Sequence, residues 1–283
     1  MREPELLARQ RASAGNESML HLVRSGEGPP VVLIHGIAGS HRVWDRLVPF
    51  LEQRYTVARV DLMGYGNSPM VVAACSPDLH VEAIRCTLSA AGISPPYTLI
   101  GLSMGANLVL TYAARWPDEV GGLVGIGLPY FATEAAARLA LHHNVWTRLS
   151  IEHPRVAARV IPAGWSFLRH SGLARWHRGI YSPAMADDAL RADYRAFRSS
   201  VLSCMLNFPS VSALSSTATM QRLFIHGSED RWSDAETVRL SLAPYPCSRI
   251  EVIDRAPHNV VVANAAQTAE LLLRHLTPAG SLR

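Results

Sequence analysis

Gly101-Leu102-Ser103-Met104-Gly105 joins a short apolar run at 97–101 directly to a helical pattern over 103–115, with no residues left over for a loop. A strand that passes straight into a helix must turn within one or two residues, and glycines on either side of the turn give it room. Leu108, Val109 and Tyr112 recur on one face of that helix, and Pro117 stands beyond its end. A strand–turn–helix junction of this kind belongs to a mostly parallel sheet with helices packed on its faces.

The rest of the chain repeats the alternation. Runs at 19–23, 31–35, 56–60, 121–127, 222–226 and 249–253 read as strands, and segments near 41–53, 76–91, 234–242 and 264–276 read as helices. The rhythm changes after Pro129. From there to about 215 no strand pattern occurs, only helical stretches broken by Pro154, Pro162, Gly164, Gly172, Gly179 and Pro183. The expected organisation is a core in two parts, 1–128 and 216–283, interrupted by a helical cap at 129–215. Such a cap lies over the C-terminal edge of the sheet, where open α/β sheets place their ligand sites. The first fifteen residues read as a loosely held arm or a short helix.

Bulk properties remove several function classes. All 27 basic residues are arginine, so a lysine Schiff base, a P-loop lysine and a lysine general base are excluded together. No arginine-rich run tracks phosphates, which argues against a nucleic-acid partner despite the net charge of +4. Cys75, Cys86, Cys204 and Cys247 form no CxxC pair, so neither a zinc knuckle nor a redox motif is present. Arg2, Glu3, Glu5, Arg9 and Arg11 leave no apolar core for a signal peptide, and no apolar stretch approaches the roughly 18 residues of a membrane span. The expectation is a reduced, cytoplasmic protein with no membrane partner, needing neither metal nor organic cofactor.

The serine of a G-x-S-x-G turn points its hydroxyl off the sheet at a helix N-terminus, where the dipole favours developing negative charge. A hydroxyl is a weak nucleophile and needs a base within hydrogen-bond reach. Of twelve histidines, His258 stands between the last strand and the last helix, completing the chain order Ser, acid, His. The acid falls in His226-Gly227-Ser228-Glu229-Asp230. Asp230 suits the register; Glu229, one residue away, competes and otherwise reads as a surface carboxylate in a turn.

These segments, over about 19–276, resemble the α/β-hydrolase superfamily, in particular its capped members. Val31-Val32-Leu33-Ile34-His35-Gly36-Ile37 resembles the family's strand and oxyanion loop, and Asp61-Leu62-Met63-Gly64-Tyr65-Gly66-Asn67-Ser68 its D-x-x-G-x-G-x-S turn. The resemblance implies a Ser103–His258–Asp230 triad, an oxyanion hole from the backbone N–H groups of Ile37 and Met104, and structural roles for His35, Gly36 and Asp61. Two departures stand out: Leu102 where a histidine is frequent, and Pro257 where a glycine usually precedes the base. The three-glycine oxyanion motif of many lipases is missing. Met104 and Trp44 resemble residues of enol-lactonases, C–C hydrolases and haloperoxidase-like esterases. The implied reaction is cleavage of an ester, lactone or thioester of a mainly apolar acyl substrate through an acyl-enzyme. Alternatives that keep the triad are an acyl transferase, cyclase or lyase and a C–C bond hydrolase; a ligand receptor on the same fold is the non-catalytic one.

The cap segment carries ten Arg against three Asp and two Glu between 129 and 209. The surplus is a solvated helix face, or else Arg148, Arg155, Arg159, Arg169, Arg175 and Arg178 meet an anionic or carrier-tethered small-molecule substrate. Trp146, Trp165, Phe167, Trp176 and Tyr181 either pack the cap or line an apolar pocket.

Overall fold

Successive side chains of a strand face opposite sides of the sheet, so a strand buried on both sides reads as a continuous apolar run. β2 (Pro30–Ile34) shows this directly: Val31 and Leu33 belong to one hydrophobic core, Val32 and Ile34 to the other. The computed structural model describes residues 19–171 and 181–276. With β1 (Leu22–Ser25), β3 (Thr56–Val60), β4 (Tyr97–Leu102), β5 (Val120–Ile126), β6 (Arg222–Gly227) and β7 (Ser248–Ile253), β2 forms one seven-stranded sheet in the order β1-β3-β2-β4-β5-β6-β7. All neighbouring pairs are parallel except β1 with β3. Helices Pro77–Ala90 and Met104–Arg115 supply residues to one core, and Ala265–Leu276 to the other.

Two elements differ from the sequence expectation. The first strand starts at Leu22 and runs to Ser25, because its register is set by pairing with Val57–Val60 rather than by its own apolar residues. The segment expected as one helix over 41–53 is a 3₁₀ turn, His41–Trp44, followed by a single helical turn, Val48–Leu51. Pro49 has no N–H to donate backward and sits where a helix begins anew.

Between β5 and β6 every described element is helical: Glu134–Leu141, Val145–Glu152, Pro154–His170, Pro183–Arg191, Tyr194–Ser199, a stretch of π-helix at Ser200–Leu206, and Ser210–Ser216. Polar caps start several of them; the Asn144 side chain, for one, accepts from the N–H groups of Trp146 and Thr147. The breaks expected at Pro162 and Gly164 do not occur. The helix Pro154–His170 continues because Ala157, Ile161 and Trp165, four residues apart, bury one stripe, while Ala158 and Pro162 are exposed, so the missing hydrogen bond falls on the solvent side. Asn107, buried on the helix Met104–Arg115, donates to the Cys204 carbonyl of the π-helical stretch and ties the insertion to the core. Gly172, Gly179, Arg175, Trp176, Arg178 and the N-terminal arm lie outside the described residues. Among those described, no helix is long and apolar enough to cross a membrane.

Candidate active site

Ser103 sits between β4 and the helix Met104–Arg115 with φ +53° and ψ −121°, a backbone conformation that costs a non-glycine residue on the order of 1–3 kcal/mol. The surroundings hold it there. Its N–H donates to the Ile126 carbonyl of β5 at 2.7 Å, and its carbonyl accepts from Ala106 N at 2.7 Å. A Cβ on Gly101 would lie 2.1 Å from the Gly105 carbonyl oxygen, and one on Gly105 would lie 2.2 Å from the Ile34 carbonyl oxygen. Both glycines are therefore required by close backbone approach. The turn places the hydroxyl at the N-terminus of a twelve-residue helix, and the residue itself is almost wholly buried.

His258 and Asp230 come from the loops after β7 and β6. His258 Nδ1 and Asp230 Oδ2 are 2.7 Å apart, and the carboxylate is buried. Asp230 Oδ1 also accepts from Trp232 N at 2.8 Å and Ser233 N at 3.1 Å. An ionised carboxylate only accepts, so the imidazole proton sits on Nδ1 and Nε2 keeps its lone pair. Glu229 is exposed; its N–H donates to the Ala256 carbonyl, which fixes the loop while its side chain faces solvent. Gly127, at φ +57°, lies beneath the ring, and a Cβ there would stand 2.9 Å from His258 Cε1. Pro257 leaves the imidazole beside Asp230. His226, buried in the same motif, is pushed down to about 4 by burial.

Gly36, Ile37, Ala38 and Gly39 form the loop facing Ser103, where a Cβ on Gly36 would come within 3.0 Å of Ser103 Cβ. His35 fixes one end: its Nε2 accepts from Leu62 N at 2.9 Å, so Nδ1 carries the proton and donates to Gly36 O at 2.7 Å. Burial holds His35 below its ordinary pKa, which keeps that tautomer neutral. Ala38 has φ +54°, a second strained non-glycine residue. Behind the loop lies Asp61, fully buried. Burial pushes its carboxyl up, but hydrogen bonds from His41 and Asn67 outweigh that and hold it well below the usual range. His21 Nδ1 lies 3.0 Å from the same carboxylate. His21, His41 and Asp61 are the one cluster of metal-ligand type among the described residues, and the Asp61 oxygens are already taken up by backbone N–H groups and the His41 ring.

Ser103, His258 and the Gly36–Gly39 loop all border one cavity of about 800 Å³. Ser103 Oγ and His258 Nε2 do not hydrogen-bond to each other; such contacts tighten when substrate fills the site. The remaining wall is largely apolar, including Leu141, Trp146, Trp165, Met185, Phe197 and Met205. Among the described residues that line it, the ionisable side chains are His258 and the phenol of Tyr181.

A family model described as the alpha/beta hydrolase fold matches residues 29–264. The chain belongs to the alpha/beta hydrolase family. Two curated relatives are pimeloyl-[acyl-carrier protein] methyl ester esterases. The one from Aeromonas hydrophila is 26% identical over 264 residues, 88% of this chain and 96% of that protein. The one from Methylococcus capsulatus is 36% identical over 116 residues, 41% of this chain and 43% of that protein, so that match spans less than half of either. Among solved structures, the enol-lactonase from Burkholderia xenovorans superposes with a TM-score of 0.72 at 18% identity, covering 91% of this chain and 96% of the other. An E-2-(acetamidomethylene)succinate hydrolase gives 0.72 at 21% identity, covering 91% and 94%. At those identities the structures show the shared fold. The chain is thus a hydrolase of the α/β fold with esterase-like relatives.

In this α/β hydrolase Ser103, Ile37 and His258 border one cavity, Asp230 lies against His258, and Met104 follows the serine at the start of its helix. It separates others from the site. Arg148, Arg155, Arg159 and Arg169 are exposed and none borders the cavity. Trp146, Trp165 and Tyr181 border it, whereas Phe167 is 66% exposed and does not. Sequence reasoning missed Ser40, Asn259, Trp232 and the face of the helix Pro183–Arg191 that carries Met185, Ala186, Ala189 and Leu190. Asn259, next to the base, was the one within reach of a sequence argument; its Nδ2 donates to Tyr181 OH at 2.8 Å.

Proposed function

We propose that this α/β hydrolase cleaves a carboxylic ester or thioester of a mainly apolar acyl group, with Ser103 as nucleophile, His258 as general base and Asp230 as its orienting acid. The observation that carries the reading is the 2.7 Å Asp230–His258 contact at the wall of the cavity that also holds the strained Ser103. Ser103 Oγ attacks the acyl carbon while its proton passes to His258 Nε2. Asp230 stabilises the imidazolium and is not itself protonated. The oxyanion accepts from the N–H groups of Met104 and Ile37; the first lies at a helix start, where no intrahelical acceptor exists. Removing one such donor costs roughly 3–4 kcal/mol in other serine hydrolases. The carbon–oxygen or carbon–sulfur bond to the leaving group then breaks as His258 returns the proton, and water repeats the sequence to release the acid.

The helical insertion acts as the cap in this reading, and its apolar wall favours an uncharged acyl chain. The exposed cap arginines suit a substrate whose charged part, a carrier or CoA-like handle, stays outside the cavity. The esterases named for a carrier-tethered methyl ester support this choice. Ser103→Ala should abolish turnover of p-nitrophenyl esters, and a fluorophosphonate should label wild-type Ser103. Undiminished turnover in the variant ends the proposal. Adding an alcohol or amine acceptor separates hydrolysis from acyl transfer, since a transferase makes the acceptor conjugate in preference to the free acid.

A further inference from the structure

The loop that faces Ser103 is gripped at three places, and one grip comes from the insertion. His35 holds Gly36 and Asp61 holds His41; both belong to the core. The third is Asp188, on the helix Pro183–Arg191. Its Oδ2 accepts from Ser40 Oγ at 2.6 Å, and Arg42 Nη1 lies 2.9 Å and 2.7 Å from its two oxygens. Asp188 is only 5% exposed, and its partners are 148 and 146 residues away in sequence. A carboxylate is taken out of water at a cost, and here both its oxygens are met by donors from one short segment of the core. That segment is the far end of the oxyanion loop. Ser40 borders the cavity, starts the 3₁₀ turn His41–Trp44 by accepting from Arg42 N, and follows the strained Ala38 by two residues. A non-glycine residue stays at positive φ only where its neighbours over-determine it.

The geometry points to Asp188 as a positioning residue: seated on Ser40 and Arg42, it fixes the oxyanion loop, so that the Ile37 N–H is aligned only when the insertion is docked on the core. Tyr181, two residues before that helix begins, reaches the other side of the site through its hydrogen bond from Asn259 beside His258. Docking of this helix and the residues that lead into it therefore bears on both the oxyanion donors and the base. The catalytic half of this inference rests on the ester-hydrolase reading above.

The test compares Asp188→Asn, Ser40→Ala and the double variant with wild type by two independent measurements. Hydrogen exchange followed by mass spectrometry reads protection of peptides spanning 33–42. Kinetics on p-nitrophenyl esters reads kcat and KM separately. Exchange at 33–42 should rise in both single variants while peptides of β4, β5 and β6 stay protected. Values of kcat should fall by about 10–100-fold with KM nearly unchanged, the signature of misplaced transition-state donors. The double variant should lose no more than the worse single, because both changes cut one connection. Unchanged protection at 33–42, additive losses, or a lowered melting temperature with unaltered kcat would overturn the assignment. Ser40→Ala keeps the buried ion pair and serves should Asp188→Asn not fold. If wild type neither turns over esters nor is labelled at Ser103, the ester reading fails and the catalytic half of the inference with it; the exchange data still decide whether Asp188 holds the loop.

Discussion

Gly105 and Gly127 belong to the core, Gly164 to the insertion, and a Cβ meets very different surroundings in the two places. At Gly105 it would strike the backbone carbonyl oxygens of Ile34 and His35, and at Gly127 the ring of His258. At Gly164 it would meet only the edge of Trp146, at an ordinary 3.7 Å. The core fixes the groups around Ser103 and His258 by close approach to glycine, of backbone at Gly105 and of the His258 ring at Gly127, which leaves no room for a side chain at either position. The insertion meets the core mainly through side chains, an apolar stripe, buried hydrogen bonds and the Asp188 pair, with one close backbone approach where Asp193 N donates to Gly64 O at 2.8 Å. It also leaves Leu139, Val145, Val156, Val160 and Phe167 exposed, a wasteful pattern for a rigid core and a tolerable one for a wall. The candidate site is thus built where glycine is required, and much of the remaining cavity wall comes from the insertion.

Four measurements would break or sharpen this contrast. The largest effect is expected at the acid. Asp230→Asn should lower kcat on p-nitrophenyl esters by about 10⁴-fold, through the wrong imidazole tautomer, while Glu229→Gln changes it little. Equal losses in the two variants would place the acid differently. Gly127→Ala comes next. Displacing the imidazole should cost about 10²-fold in kcat/KM, with a crystal structure of the variant showing the ring moved. A fully active Gly127→Ala enzyme would mean that the backbone does not constrain His258.

The third concerns acid stability. His80 and His226 are buried and neutral, burial holding them down to about 3 and about 4, against an ordinary value of 6.5. Their unfolded-state counterparts bind protons first, so the stability they allow is present above pH 6.5 and is lost as pH falls from there towards 4. The loss should be about 1.4 kcal/mol per histidine for each pH unit within that window. Urea titrations between pH 7 and 4.5 read it, and His80→Leu should flatten the slope by about 1.4 kcal/mol per pH unit; an unchanged slope would show that His80 is not among the titrating groups. The smallest effect belongs to the insertion. Gly164→Ala should raise stability by up to about 1 kcal/mol through helix propensity, with activity unaltered. A destabilised variant would show that the insertion packs as tightly as the core.

Much of the fold and of the candidate site was legible in the sequence. The strand–turn–helix around Ser103 needs its flanking glycines, and β2 and β4 show the apolar runs of strands buried on both faces, so both the sheet and the elbow could be read locally. The choice between Asp230 and Glu229 was open by one residue, and the turn after β6 settled which carboxylate faces the imidazole and which faces water. Pro162 misled because a proline disrupts a helix in isolation, yet a buried stripe at Ala157, Ile161 and Trp165 outweighs one missing hydrogen bond on the solvent side.

Local pattern by itself determined the α/β alternation and the strand–turn–helix at Ser103, because those depend on periodicity and turn chemistry within a few residues, whereas Asp230 and His258 were singled out through the family resemblance. Tertiary structure alone decided which residues of the insertion face the cavity, that Arg148, Arg155, Arg159 and Arg169 are exposed away from it, and that Asp188 closes on Ser40 and Arg42. Those outcomes depend on how helices with no strict pairing register dock against a distant loop, and such docking is set by packing and burial over the whole chain rather than by any neighbouring residues.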